Sequence, residues 1–217
     1  MIKCRAIFQK SGRAVYISHL DLNRCMLRTF RRSRLPIWYT EGFNPHPYFS
    51  FALALSLGYS SCCEILDFNL NEDISFDEVK ERLNSVMPEG MCIIDVYSPK
   101  MKITEIAKAE YGIEFSSADV TALRDDIDKL LAQSEILIEK KSKKGIKTVD
   151  IKPFIELCSI ESNENRMNII MRLPAGTKNN ITPSLFIDSL TSMASVGFET
   201  EKISRRSILC ENNENFS

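Results

Sequence analysis

Apolar and polar positions alternate loosely from the start of the chain. Ile2, Cys4, Ala6 and Phe8 fall on one side of residues 2–10, which is strand periodicity. Ser11-Gly12-Arg13 interrupts that pattern and Ala14–Ile17 resumes it as a strand. Ser18 and Asp21 then form the S-x-x-D pattern of a capped helix start, where side chains satisfy free backbone N–H groups. Leu22, Met26 and Phe30 make the inward stripe, flanked by Asn23 and Leu27. Arg24, Arg28, Arg31 and Arg32 recur at i, i+4, i+7 and i+8, so one helix face carries all four. Leu35-Pro36 ends the helix, because the residue before proline is pushed out of the helical region.

Ile37–Thr40 reads as a second strand and Gly42-Phe43-Asn44-Pro45-His46-Pro47 as a rigid loop. Tyr48–Leu57 is apolar and extended, Glu64–Leu70 is a third strand, and Ser75–Val86 is a helix. Pro88-Glu89-Gly90 stops that helix, and Met91–Tyr97 is a fourth strand. After a linker near residues 98–109 with one helical turn, the pattern starts again. Glu110–Ser116 is a strand, Asp119–Gln133 a helix, Glu135–Glu139 a strand, and Lys140–Lys147 a hairpin tip. Val149–Ser159 and Arg166–Leu173 extend the sheet, Pro183–Val196 is a helix, Phe198–Cys210 the last strand, and the polar tail frays. The expected fold is therefore α+β: two ferredoxin-like (β-α-β-β-α-β) halves with antiparallel sheets, residues 1–98 and 109–212.

Composition changes this picture little, but charge changes it more. With 44% hydrophobic and 26% charged residues the chain reads as a globular protein rather than a disordered one. Through residue 60 there are nine Lys+Arg against Asp21 and Glu41, which leaves 19 bases and 27 acids beyond. A basic N-terminal part joined to an acidic remainder points to an anionic partner for the first. No apolar run approaches the ~20 residues of a spanning helix, and the opening Met-Ile-Lys-Cys carries no export signal, so a cytoplasmic protein without membrane contact is expected. The seven cysteines then read as reduced thiols. Neither the adjacent Cys62-Cys63 nor any other pair has zinc spacing, so no metal is expected.

The candidate chemistry lies between residues 16 and 59. A four-arginine face near Trp38, Tyr39, Phe43 and Tyr48 suits forked contacts to phosphate beside stacking platforms for bases. The plainer reading of the same face is a solvated helix side whose long stems cover apolar surface. His19 at the first helical turn and His46 between two prolines are the chain's two histidines and the candidates for a general base. Each also has a structural reading, as a locally bonded or surface residue. Asn44 and His46 mark the loop as a positioning element. No hydrolase, metalloprotease, P-loop, dinucleotide or cluster-binding motif is present, so no cofactor is expected. The loop Leu173–Asn180 is a turn before the helix at Pro183, with phosphate binding as its second reading.

Tyr16-Ile-Ser-His-Leu-Asp21, Arg31-Arg32-Ser-Arg-Leu-Pro36, Gly42-Phe-Asn-Pro-His-Pro47 and Leu57-Gly58 with Glu64 and Asp67 resemble the bacterial radical-SAM-linked family, a domain of unknown function. Lys144-Gly145 followed by Val149-Asp150-Ile151-Lys152-Pro153 resembles that family's later signature. Without cluster-binding cysteines the chain is similar to the free-standing accessory form, which implies a radical SAM enzyme as partner and supplies no established catalytic residue. The expected function is thus a non-catalytic, RNA-binding accessory to such an enzyme in tRNA or rRNA modification or maturation. Two alternatives stand beside it: an RNA-cleaving or RNA-modifying enzyme using His19 or His46, and a protein–protein adaptor whose arginine face meets an acidic surface.

Overall fold

A computed structural model describes residues 1–142, 145–176 and 179–217, and the side chains among them outside 140–147. The fold is mixed α+β, with antiparallel strand pairing and, among the described residues, four α-helices. The chain forms two compact units, one of residues Met1–Glu105, Arg205–Ser207 and Asn215–Ser217, the other of Ile106–Ser204 and Ile208–Glu214.

In the first unit β1 (Ile2–Lys10) lies between β3 (Ser60–Leu70) and β4 (Met91–Tyr97), and β2 (Phe49–Phe51) pairs the other side of β3. Helices α1 (His19–Ser33) and α2 (Phe76–Asn84) complete it. The core joins alternate β1 positions Cys4, Ala6 and Phe8 to Leu66, Phe68 and Leu70 of β3. Leu22, Met26 and Phe30 of α1 and Val79 and Leu83 of α2 close over them. Each such large side chain contributes about 1.5–3 kcal/mol on leaving water. The thiol of Cys4 is held up to about 11 by that burial.

Three expectations for this unit change. Residues Ala14–Ile17 are not a resumed strand: Gly12–Tyr16 is a 3₁₀ turn, closed by Ala14 N–H on Ser11 O and Ile17 N–H on Ala14 O. The buried Lys10 ammonium donates to the carbonyls of Val15 and Ile17, which bends this segment back over the end of β1. Ile37–Thr40 makes only two isolated bridges, Ile37 with Leu70 and Tyr39 with Pro47. Pro36 and Pro47 supply no N–H, so a continuous ladder cannot form there. Of the extended Tyr48–Leu57 stretch only Phe49–Phe51 pairs, and β2 takes the place expected of Ile37–Thr40.

In the second unit β5 (Lys108–Ser117) lies beside β9 (Arg166–Pro174), with β8 (Glu156–Asn163) outside β9 and β10 (Phe198–Leu209) on the other side of β5. Helices α3 (Val120–Ala132) and α4 (Pro183–Met193) contribute Leu123, Ile127, Phe186 and Leu190 to the core, opposite Ile113, Phe115, Ile169 and Met171. Val149–Ser159 does not run on as one strand. The Asp150 carboxylate accepts from the N–H groups of Ile136 and Lys152, and a 3₁₀ turn, Lys152–Phe154, follows. Strands β6 (Leu137–Ser142) and β7 (Gly145–Asp150) therefore pair with each other, as a separate hairpin between α3 and β8. Lys144 of the later signature, and Thr177 and Lys178 of the Leu173–Asn180 loop, lie outside the described residues.

Asp126 of α3 tethers the segment after α4. Its carboxylate accepts from the Ser195 hydroxyl at 2.7 Å and the Ser195 N–H at 2.6 Å, with Lys129 at 3.2 Å. The hydrogen bonds from Ser195, then the Lys129 ammonium, hold its pKa below the ordinary carboxylate value. A carboxyl whose folded pKa is depressed stabilises above its unfolded value of ~3.9, and that contribution disappears as pH falls through the folded value. Asp126→Asn is expected to unfold at lower urea than the natural chain at pH 7, with the gap closing below about pH 4. A gap that stayed constant from pH 7 to pH 3 would show that charge has no part in the tether.

Candidate nucleic-acid interface

Helix α1 begins as its sequence predicts. Ser18 Oγ accepts from the Asp21 N–H at 3.1 Å and donates to the Asp21 carboxylate at 2.8 Å. Asp21 is acidified by that hydroxyl first and by Arg24 second. The helix ends on Arg34, whose left-handed φ of 54° reverses the chain into Leu35-Pro36. Between these caps Leu22, Met26, Thr29, Phe30 and Ser33 are buried, and Arg24, Arg28, Arg31 and Arg32 are all exposed. The four arginines have different partners. Arg24 pairs with Asp21 at 3.1 Å across an exposed i, i+3 step, where solvent screens the attraction. Arg32 donates to the carbonyl of Val86 at 2.9 Å. Arg28 and Arg31 have no hydrogen-bond or ion-pair partner among the described residues, and their forks face solvent.

The Gly-Phe-Asn-Pro-His-Pro loop is self-bonded. Thr40 N–H donates to His46 O at 2.9 Å, and the His46 N–H donates to Thr40 Oγ1 at 3.2 Å. His46 Nδ1 lies 3.0 Å from the carbonyl oxygen of Asn44 and 3.2 Å from Thr40 Oγ1. A carbonyl can only accept, so in the neutral ring the proton sits on Nδ1 and Nε2 is left as an acceptor. At the base of the loop Trp38 meets Tyr48 edge-to-face, centroids 5.2 Å apart, and Tyr48 N–H donates to Trp38 O. Tyr39 bridges to Pro47 and is exposed. Phe43 is fully exposed, an apolar ring with nothing covering it. His19 is elsewhere in this arrangement, edge-on to Phe51 at 5.3 Å.

The expected residues thus fall into two sets, an arginine face on α1 and an aromatic loop closed by Thr40 and His46. None of Arg24, Arg28, Arg31 or Arg32 lies over an aromatic ring among the described residues. The charge count also changes meaning. Of the nine bases before residue 60, Arg5 and Lys10 are buried and the other seven are exposed. Arg5 grips Asp67 with two contacts of 2.7 and 2.8 Å, donates to Met101 O, and lies 4.5 Å from the Phe216 ring centroid. Burial pulls the pKa of the Lys10 ammonium below its ordinary value, with Glu64 opposing and Arg205 reinforcing the shift. Sequence periodicity did contain this signal, since Lys10 continues the inward-facing even positions of β1. Arg5, however, falls out of that phase and is buried all the same.

Among the described residues, no group of three or more His, Cys, Asp or Glu side chains is placed to hold a metal ion, and no helix is long and apolar enough to cross a membrane. No curated protein matches the chain. Among solved structures it is similar to a chain of the crystal structure of a Cbf5-Nop10-Gar1 complex, at 11% identity and a TM-score of 0.46, over 94% of this chain and 48% of that one. It thus spans about half the length of that chain. It is also similar to an unknown protein from Galdieria sulphuraria, at 11% identity and a TM-score of 0.29, over 92% of this chain and 97% of that one. A family model matches residues 3–183, which include both helices of the first unit and the whole Thr40–Pro47 loop, and the chain belongs to that family, described as an uncharacterized protein conserved in bacteria (DUF2344).

Proposed function

We propose that this chain is an RNA-binding accessory protein of the cytoplasm, working beside a radical SAM enzyme in tRNA or rRNA modification or maturation. The observation that carries the reading is the pair of unpartnered, exposed guanidinium groups, Arg28 and Arg31, on a capped and well-packed helix. A rigid helix presents them at fixed spacing, and arginine forks match phosphate oxygens. The uncovered Phe43 ring and the Trp38–Tyr48 pair supply apolar surface of the kind on which unpaired bases stack. The partner rests on the resemblance of the Tyr16–Asp21 and Gly42–Pro47 segments to the radical-SAM-linked family. We read both units as ferredoxin-like: the element order β-α-β-β-α-β with neighbours β4-β1-β3-β2, and then β10-β5-β9-β8, supports it.

The test is RNA recovered with the purified protein, for the natural chain and for a variant with Arg28, Arg31 and Arg32 all changed to Glu. RNA is expected with the first and not with the second. If about three phosphates are engaged on a single strand, affinity should fall about 20-fold over a fourfold rise in salt. RNA binding that ignores both the substitutions and the salt would remove this reading. A protein recovered in place of RNA would favour an adaptor.

One observation favours a second reading, an RNA-cleaving enzyme. His46 is oriented through Nδ1 with Nε2 free to accept a proton. In that case RNA incubated without metal should be cut by the natural chain and spared by His46→Ala.

A further inference from the structure

The sequence Ser61-Cys62-Cys63-Glu64 lies in β3 where its pairing with β1 slips. Phe8 stands opposite Glu64, but Lys10 stands opposite Ser61, so Cys62 and Cys63 together face Gln9 alone. Such a bulge breaks the alternation that would send neighbouring side chains to opposite faces of a strand. Both thiols turn toward the same short segment of the first unit: Cys62 Sγ is 3.6 Å from Arg206 O, and Cys63 Sγ is 3.6 Å from Arg205 O. The Ser61 hydroxyl holds the bulge in place, accepting from the Cys63 N–H at 3.1 Å and lying 3.5 Å from Cys63 Sγ. Cys62 is exposed and Cys63 half-buried, so the pair is open to solvent from one side.

The two sulfurs also have different acidities. The hydrogen bond from the Cys63 thiol, with the Arg206 charge assisting, brings Cys62 down to about 6, and the same bond together with burial pushes Cys63 up. Cys62 is thus the more acidic of the two thiols. The other exposed thiols, Cys92 and Cys158, have no such neighbour: Cys92 sits opposite Gln9 on the far side of β1, two strand spacings or about 9.6 Å from the bulge.

We infer that Cys62 and Cys63 form a vicinal dithiol site for trivalent arsenic compounds, thiophilic ligands that need two adjacent sulfurs. The reaction balances without any redox partner. An organoarsenic oxide, R–As=O, exchanges its oxygen for two thiolates. Two As–S bonds form, and the oxygen leaves as water with the two thiol protons. Arsenite loses two hydroxyls the same way, releasing two waters. Cys62 attacks first, and Cys63 closes the ring from beside it.

The experiment uses the full chain and phenylarsine oxide, read by intact mass. One phenylarsine per chain is expected, resistant to a large excess of monothiol, removed by 1,2-ethanedithiol, and mapped to the peptide holding both cysteines. Cys62→Ser and Cys63→Ser should each lose the monothiol-resistant adduct, and the double variant should behave as either single one. Arsenite in a parallel arm should protect the same two thiols from alkylation. Peptide mapping on the natural chain decides the matter even if a variant folds poorly. An adduct on any other cysteine, one that monothiol strips, or none at all would overturn the assignment.

Discussion

Glu64→Gln is expected to destabilise the first unit by about 3–5 kcal/mol, read as a fall in its urea unfolding midpoint. Glu64 and Arg205 are almost entirely buried and meet fork to fork at 2.9 and 3.0 Å. Arg205 Nη2 also donates to Ala54 O, while Nη1 is buried without a partner. Lys10 is buried nearby and is held only by two carbonyls at 3.3 and 3.4 Å. One carboxylate therefore balances two cations, and removing it leaves both uncompensated where water cannot reach them. The variant should also recover with pH. Lys10, whose folded pKa is already lowered and which loses the support of Glu64, binds fewer protons folded than unfolded. Stability then rises as pH is raised toward 10. The double change Glu64→Leu with Arg205→Met removes one charge of each sign and should cost much less than the single change. A single variant within 1 kcal/mol of the natural chain would mean that this carboxylate is not what holds the two cations in place.

This group shows what a sequence conceals. The α1 stripe, its Ser18 cap and its arginine face are local patterns, and each is found where its spacing places it. Met91–Tyr97 agrees to the residue, because a short apolar run is bounded on one side by Gly90 and on the other by Ser98-Pro99. What was not legible depends on partners distant in the chain. Arg205 lies 141 residues from Glu64, and Arg5 lies 62 from Asp67, so their charges read as surface until the strands are paired. Residues 14–17 and 37–40 have strand composition, yet the N–H groups that would make ladders are spent on turns or removed by proline. The segment from Gly42 to Pro47 was legible as a loop, but the Thr40 hydroxyl that closes it belongs to a residue expected in a strand. On the α1 arginine face, four equivalent arginines became two hydrogen-bonded and two without a hydrogen bond or ion pair among the described residues, a distinction that spacing cannot make.

Gly90→Ala is expected to cost about 3 kcal/mol or more, against about 1–2 kcal/mol for Gly58→Ala. Both glycines have left-handed backbones, with φ of 82° and 83°, so both substitutions carry the same conformational cost of about 1–2 kcal/mol. They differ in what a methyl group would meet. At Gly58 nothing lies within 4 Å. At Gly90 the added carbon runs into the backbone oxygen of Ser11 and comes within 3.1 Å of Ala14 Cβ. Neither neighbour is a flexible side-chain end, so the backbone has to move. The movement also breaks a latch, because Gly90 O accepts from the Ser11 N–H at 2.8 Å. That bond fixes the 3₁₀ turn Gly12–Tyr16, which sets where Ser18 caps α1 and hence where Arg28 and Arg31 point. The measurement is a pair of urea unfolding curves, with RNA recovery from each folded variant beside them. Gly90→Ala should lose stability and, at temperatures where it remains folded, weaken RNA retention, whereas Gly58→Ala should keep it. Equal costs for the two variants would mean that the Ser11–Gly90 contact yields freely and that α1 takes its position from its own packed stripe alone.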